Sequence, residues 1–206
     1  MMVLTILRLF WRSVSSLLTL LILVGVVSLF LRSQDWPHWI LVSPPSLPAG
    51  LYTASNSDSL SVGIPTIVCI PGTGGGLALS RGYVDAGWTN ILHCPDGQAP
   101  MIKMLAALPG DTVHAVLDSV RINSSPWLHV PMYEEDSDGR PLEPMLGTFH
   151  LLEHECYALS PWSDRSYDSR YYGPFPCPSE GIWTALPVKA STVMAIDSLG
   201  KLLRGQ

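Results

Sequence analysis

The chain has 206 residues, of which 47% are hydrophobic and 14% charged, and its 12 Lys and Arg against 17 Asp and Glu give a formal net charge of −5. That length holds one moderate domain plus a short extra segment. An acidic balance without Lys/Arg clusters excludes a basic nucleic-acid-binding surface, and with it nucleic acid as a partner.

The first predicted element is the run SVSSLLTLLILVGVVSLFL at 13–31, which carries no charged residue. Its length suits a helix crossing the hydrocarbon core. Arg8 and Arg12 precede it and Arg32 and Asp35 follow it, a basic bias that favours a cytoplasmic N-terminus. The run exceeds a usual signal-peptide core, and no A-x-A-like cleavage site follows, so it reads as an uncleaved anchor. Residues 1–12 are then expected in the cytoplasm, 13–32 as a single-pass transmembrane helix in the inner membrane, and 33–206 as a periplasmic domain. Trp36 and Trp39 stand where an interfacial aromatic belt would.

Next comes SPPSLPAGLY at 43–52, two serines among three prolines, a segment expected to form neither helix nor central strand. Beyond it, β-type runs alternate with Gly, Pro, Asp and Ser: TIVCI (66–70), MIKMLAAL (101–108), TVHAVLDSVRI (112–122), ECYALS (155–160) and TALPVKAS (184–191). Such spacing predicts a mainly β, antiparallel domain. PGTGGG (71–76) lacks the Gly-Lys-Ser/Thr ending of a phosphate-binding loop and reads as a flexible surface loop; LALSRGYVDAG (77–87) offers one short helix. EEDSDGRPLEP (134–144) reads as a solvated connection, with weak calcium binding as its alternative. PWSDRSYDSRYYGPFP (161–176) mixes both charge signs with aromatics, unlike a plain solvated loop, and LGKLLR (199–204) suggests a short terminal helix.

Cys69, Cys94, Cys156 and Cys177 are disulfide candidates in an exported domain, against the alternative of buried thiols. Four cysteines allow three pairings, of which Cys69–Cys94 with Cys156–Cys177 is the most local. His150 and His154, four apart, offer half a zinc site on a helix, but the pattern is not H-E-x-x-H and no second ligand pair has suitable spacing. No metal and no cofactor is expected.

Lys103 stands inside an apolar run, flanked by Ile102 and Met104. A buried lysine is costly unless it is paired or gives up its proton. It reads either as an edge-strand lysine whose stem snorkels to water or as a lysine made basic enough for catalysis by desolvation. A serine hydroxyl needs such a base before it can attack a carbonyl. Ser46, stiffened by Pro44, Pro45 and Pro48 and followed by Gly50, is the candidate partner in a Ser-Lys dyad, with Ser43 as the rival nucleophile.

Three segments in order, SLPAGLY (46–52), KMLAALPGD (103–111) and SYDSRYYGP (166–174), resemble the type I signal peptidases of the serine-lysine class. With DSDGRPL (136–142), the pattern looks most like the TraF-type branch of conjugative transfer systems. The resemblance covers about residues 41 to 190. It implies an antiparallel β domain of signal-peptidase type, with Ser46 as nucleophile, Lys103 as general base and Ser166 orienting that lysine. It further implies an Asp168–Arg170 ion pair beneath the site, a functional importance of Asp168, and a turn at Pro109, Gly110 and Asp111. General signal peptidases often carry Arg after the lysine and a hydroxyl residue two places before the nucleophile; here these are Met104 and Pro44. The oxyanion hole is therefore expected to use the Ser46 N–H with Ser43 as a candidate second donor.

The expected function is thus a serine endopeptidase that cuts, and in that branch can cyclise, an exported precursor such as a conjugative pilin. Its partners would be that precursor, the lipid bilayer and a transfer or secretion machinery. The alternatives are a general signal peptidase removing signal peptides, a non-catalytic membrane-anchored assembly factor, and a self-cleaving Ser-Lys regulator. The joint presence of Ser46, Lys103, Ser166 and Asp168 argues against the assembly factor, and the apolar run with four cysteines against the regulator.

Overall fold

The computed structural model describes residues 2–33, 38–42, 46–57, 60–70, 72–84, 94, 98–177, 182–187, 198 and 201–203. The chain divides into two units, Met1–Pro37 and His38–Gln206. The first holds the helix α1 (Met2–Ser33). The expected transmembrane anchor does not stand: among the described residues no helix is long and apolar enough to cross a membrane. Ser15, Ser16, Thr19, Gly25 and Ser28 dilute the apolar character of α1. Trp36 lies outside the described residues, and Trp39 belongs to a strand.

Among the described residues the second unit holds eleven strands in two antiparallel sheets. Its strands are β1 (His38–Val42), β2 (Gly50–Ser57), β3 (Pro65–Ile70), β4 (Ala99–Ala107), β5 (Thr112–Val116), β6 (Ser119–Ile122), β7 (Leu128–His129), β8 (Gly147–His150), β9 (Glu155–Leu159), β10 (Phe175–Pro176) and β11 (Ile182–Pro187). The larger sheet runs β1-β2-β11-β3-β4-β9-β10 and the smaller β7-β6-β5-β8. Among the described residues this unit also holds the short helices α2 (Gly72–Ser80) and α3 (Ser169–Tyr172), and 201–203 are helical.

β4 is central, and its composition shows why. It is buried along nearly its whole length, so both faces need apolar side chains. Met104 and Ala106 on one face join a core with Val113, Ala115, Val120 and Ile122 of the smaller sheet. Met101 and Leu105 on the other join a second core with Ala78 of α2 and Tyr171 of α3. Lys103 shares the parity of Met101 and Leu105, so the strand's alternation turns it toward that second face.

Four local expectations change. PGTGGG is not a loop: residues 72–76 open α2. The glycines serve close packing, since a Cβ on Gly75 would lie 2.0 Å from the Ile70 carbonyl oxygen and one on Gly74 2.8 Å from Tyr172 Cβ. The run at 112–122 is the hairpin β5–β6, turned at Leu117 and Asp118. The proline segment gives way at Gly50 to β2, which pairs with β1 and β11 once the prolines end. Gly50 itself needs no special conformation, since a Cβ there would meet only ordinary contact at 3.8 Å. The expected terminal helix is met at 201–203, which are helical and place Leu203 in the first core, while 199, 200 and 204 lie outside the described residues.

Candidate active site

Lys103 sits in the interior of the larger sheet, between β3 and β9, and is 4% exposed. An edge position with a snorkelling stem is therefore ruled out. Its ammonium nitrogen donates to two hydroxyls, Ser46 Oγ at 2.8 Å and Ser166 Oγ at 2.8 Å. Burial lowers its pKa to about 8, with Asp168 pulling upward and Arg170 downward. This geometry brings together three residues separated by 57 and 63 positions in the chain.

Ser46 lies in the bend between β1 and β2. The segment after it is pinned by the buried Leu47 and by the Tyr52 hydroxyl, which donates to the Pro48 carbonyl at 2.8 Å. Ser43, Pro44 and Pro45 lie outside the described residues.

Ser166 belongs to a turn fixed by one buried guanidinium. Arg170, 0% exposed, donates to the carbonyls of Pro131 (2.7 Å), Ser163 (3.1 Å), Asp164 (3.3 Å) and Ser166 (3.1 Å). It also forms a forked pair with Asp168, Nε to Oδ1 at 2.8 Å and Nη2 to Oδ2 at 2.9 Å. Burial works against the guanidinium's charge, but Asp168 outweighs it and leaves the pKa of Arg170 raised. Asp168, also 0% exposed, accepts from the Ser160 N–H at 2.9 Å and caps the N-terminus of α3. The pair thus ties β9, α3 and the Ser166 turn into one unit under Lys103. A lysine could not replace Arg170, because a single ammonium cannot reach so many fixed acceptors.

The Pro109–Gly110–Asp111 turn follows β4. Gly110 adopts φ +87, a left-handed conformation that favours glycine, and Asp111 accepts from Leu108 N at 2.8 Å and from Asn123 Nδ2 at 2.8 Å.

A cleft of about 580 Å³ opens over the lysine. Leu41, Val42 and Ser46 bound one side, and residues 100–103 of β4 form the floor. Opposite stand 81–84, just after α2, and part of the loop 133–142. That loop is exposed along most of its length, as expected of a solvated connection, except at Asp136 and Leu142. Asp136 is 5% exposed at its side chain and accepts from Arg81 Nη1 (3.3 Å), the Tyr83 hydroxyl and Arg140 Nε (2.6 Å), besides the N–H groups of Asp138 and Arg140. These donors hold its carboxyl well below the usual carboxylate range despite burial. Sequence reasoning missed Arg81, Tyr83, Asp136 and Arg140 as cleft residues. The DSDGRPL segment signalled Asp136 and Arg140, and nothing in the sequence singled out Arg81 and Tyr83.

Of the two histidines weighed as half a zinc site, His150 ends β8 and His154 lies in the turn that follows. His150 Nδ1 lies 3.0 Å from Thr112 Oγ1, while the His154 carbonyl accepts from Cys177 N at 2.8 Å. Among the described residues no group of three His, Cys, Asp or Glu could hold a metal ion. The cysteines are joined as Cys69–Cys94, stapling β3 to the segment before β4, and Cys156–Cys177, stapling β9 to the end of β10.

The family described as signal peptidase, peptidase S26, matches residues 11–182. A probable conjugal transfer protein TraF of Sinorhizobium fredii (strain NBRC 101917 / NGR234) is 37% identical over 134 residues, covering 64% of this chain and 67% of that one. A plasmid transfer protein TraF of Escherichia coli is 34% identical over 131 residues, 63% of this chain and 71% of its own. A second plasmid transfer protein TraF of Escherichia coli is 30% identical over 156 residues, 74% and 84% of the two chains.

Proposed function

The chain belongs to the peptidase S26 family of signal peptidases, in its TraF-type branch, and from that membership we propose a Ser46–Lys103 dyad that cuts an exported precursor used in conjugal transfer. The family makes it a serine peptidase of signal-peptidase type. The observation that carries the dyad is one buried amine at 2.8 Å from both serine hydroxyls. A desolvated lysine with a pKa near 8 holds a usable neutral fraction at neutral pH, and a serine beside it can pass on its proton.

In the proposed sequence Lys103 Nζ takes the proton from Ser46 Oγ as that oxygen bonds to the scissile carbonyl carbon. The tetrahedral oxyanion is met by the Ser46 N–H and a second donor. Collapse breaks the peptide C–N bond, Lys103 returns the proton to the leaving amine, and an ester on Ser46 remains. Water then hydrolyses the ester; attack by the substrate's own N-terminal amine would instead close a cyclic product. Ser166 keeps the Nζ lone pair aimed at Ser46. The substrate lies extended in the cleft, adding its backbone to a strand edge. Two disulfides support a working place for the His38–Gln206 domain outside the cytoplasm, in the periplasm.

The test incubates purified full-length protein, beside Ser46→Ala and Lys103→Ala, with the pilin precursor of its own transfer locus, read by intact mass. Cutting by the parent with a loss of about 10³-fold or more in both variants is expected. A product one water lighter than the linear fragment identifies cyclisation. Equal processing by all three proteins overturns the dyad. A parent that cuts other signal-peptide-bearing precursors but spares the pilin overturns the pilin assignment in favour of a general signal peptidase.

A further inference from the structure

Three arginines face the cleft: Arg81, Arg140 and Arg165. The first two are committed, Arg81 to Asp136 and Arg140 to Asp136 and Asp138. Arg165 is different. It is exposed, and among the described residues it forms no ion pair. Its guanidinium carbon lies 4.4 Å from the Tyr133 ring centroid, and Nη1 donates to the Glu135 carbonyl at 3.4 Å. The Glu135 side chain lines the same wall without pairing with it.

The backbone beneath Arg165 is held on both sides. Arg170 binds the carbonyls of Ser163, Asp164 and Ser166, and the next residue, Ser166, hydrogen-bonds Lys103. A planar guanidinium stacked on an aromatic face, anchored by one bond and otherwise open, still offers donors in the fork geometry that matches a carboxylate. Stacking and the anchored turn reduce the rotamer freedom lost when such a pair forms.

We propose that Arg165 is a specificity-determining residue that binds a carboxylate of the substrate peptide close to the bond being cut. The proposal rests on the cleft being the substrate site. The carboxylate comes from an acidic side chain or from the peptide's own C-terminus, and both present the same chemistry to the fork.

The probes are short alanine-rich peptides in which one Glu or Gln is moved along the sequence, each made with a free acid or an amide C-terminus. Binding is read by fluorescence anisotropy on full-length Ser46→Ala protein, with and without Arg165→Gln, so the result does not depend on cleavage. Cleavage of the same peptides by the parent tests the peptidase reading separately. A preference of about 10-fold or more for Glu over Gln at one position, or for acid over amide, is expected. It should fall to about one in Arg165→Gln and be restored by Arg165→Lys only in part, because Lys lacks the fork. Glu dependence identifies the side-chain source and acid dependence the terminal one. No carboxylate preference in Ser46→Ala protein, or an undiminished preference in the Arg165→Gln background, overturns the proposal.

Discussion

A buried lysine amine whose only hydrogen-bond partners among the described residues are two neutral serine hydroxyls at 2.8 Å has one proton too many for its setting at neutral pH. Its folded pKa of about 8 lies below its ordinary value of 10.5. The sign follows directly. Between those values the unfolded chain binds more protons than the folded one, so stability rises with pH across that window and the full cost of charging Lys103 is borne below about 8. Activity that needs the neutral amine should rise through the same pKa. A kcat/KM profile with an ascending limb near pH 8 is expected; a profile flat from pH 6 to 10 would remove Lys103 as the base. Lys103→Met should abolish cutting while raising stability at pH 7 by about 1 kcal/mol or more, read by urea unfolding. Sequence flagged this residue because a charge in an apolar run is improbable without a purpose. Ser46 was legible as a candidate from its proline-stiffened setting, but Ser166 only through the family's motif order, since residues so distant in sequence share no local pattern.

At the scale of elements, the sequence misled where packing overrode local preference. Glycine weakens isolated helices, so GTGGG reads as a loop. It becomes α2 because a helix without side chains on that face can lie against the Ile70 carbonyl. The two glycines should therefore respond oppositely. Gly75→Ala would drive a Cβ into backbone at 2.0 Å and cost about 2–4 kcal/mol in thermal unfolding. Gly76, with nothing within 4 Å, should tolerate Ala with a gain of about 0.5–1 kcal/mol. Similar effects for both would show that α2 does not pack this way. One position of the acidic loop departs for a related reason: charge usually marks solvent, but Asp136 gathers enough donors from Arg81, Tyr83 and Arg140 to turn into the cleft wall.

Across the whole molecule, alternating apolar runs between turn residues foretold an antiparallel β domain, and the two sheets agree with that. The order of strands was not legible. β11 returns from the C-terminal part to lie between β2 and β3, a placement set by long-range packing that no periodicity records. The N-terminal run reads as a membrane span from its length, its flanking charges and the tryptophans after it, but among the described residues no helix is long and apolar enough to cross a membrane. The chemistry of the whole molecule turns on the bond made at Ser46. The most direct measurement is rapid quenching of the parent with a cleavable precursor in acid, followed by peptide mapping of the protein by mass. An acyl adduct on the peptide containing Ser46, absent in Ser46→Ala and slowed about 10³-fold or more in Lys103→Ala, is the expected result. An adduct on another residue, or product formed by Ser46→Ala at the parent's rate, would contradict it.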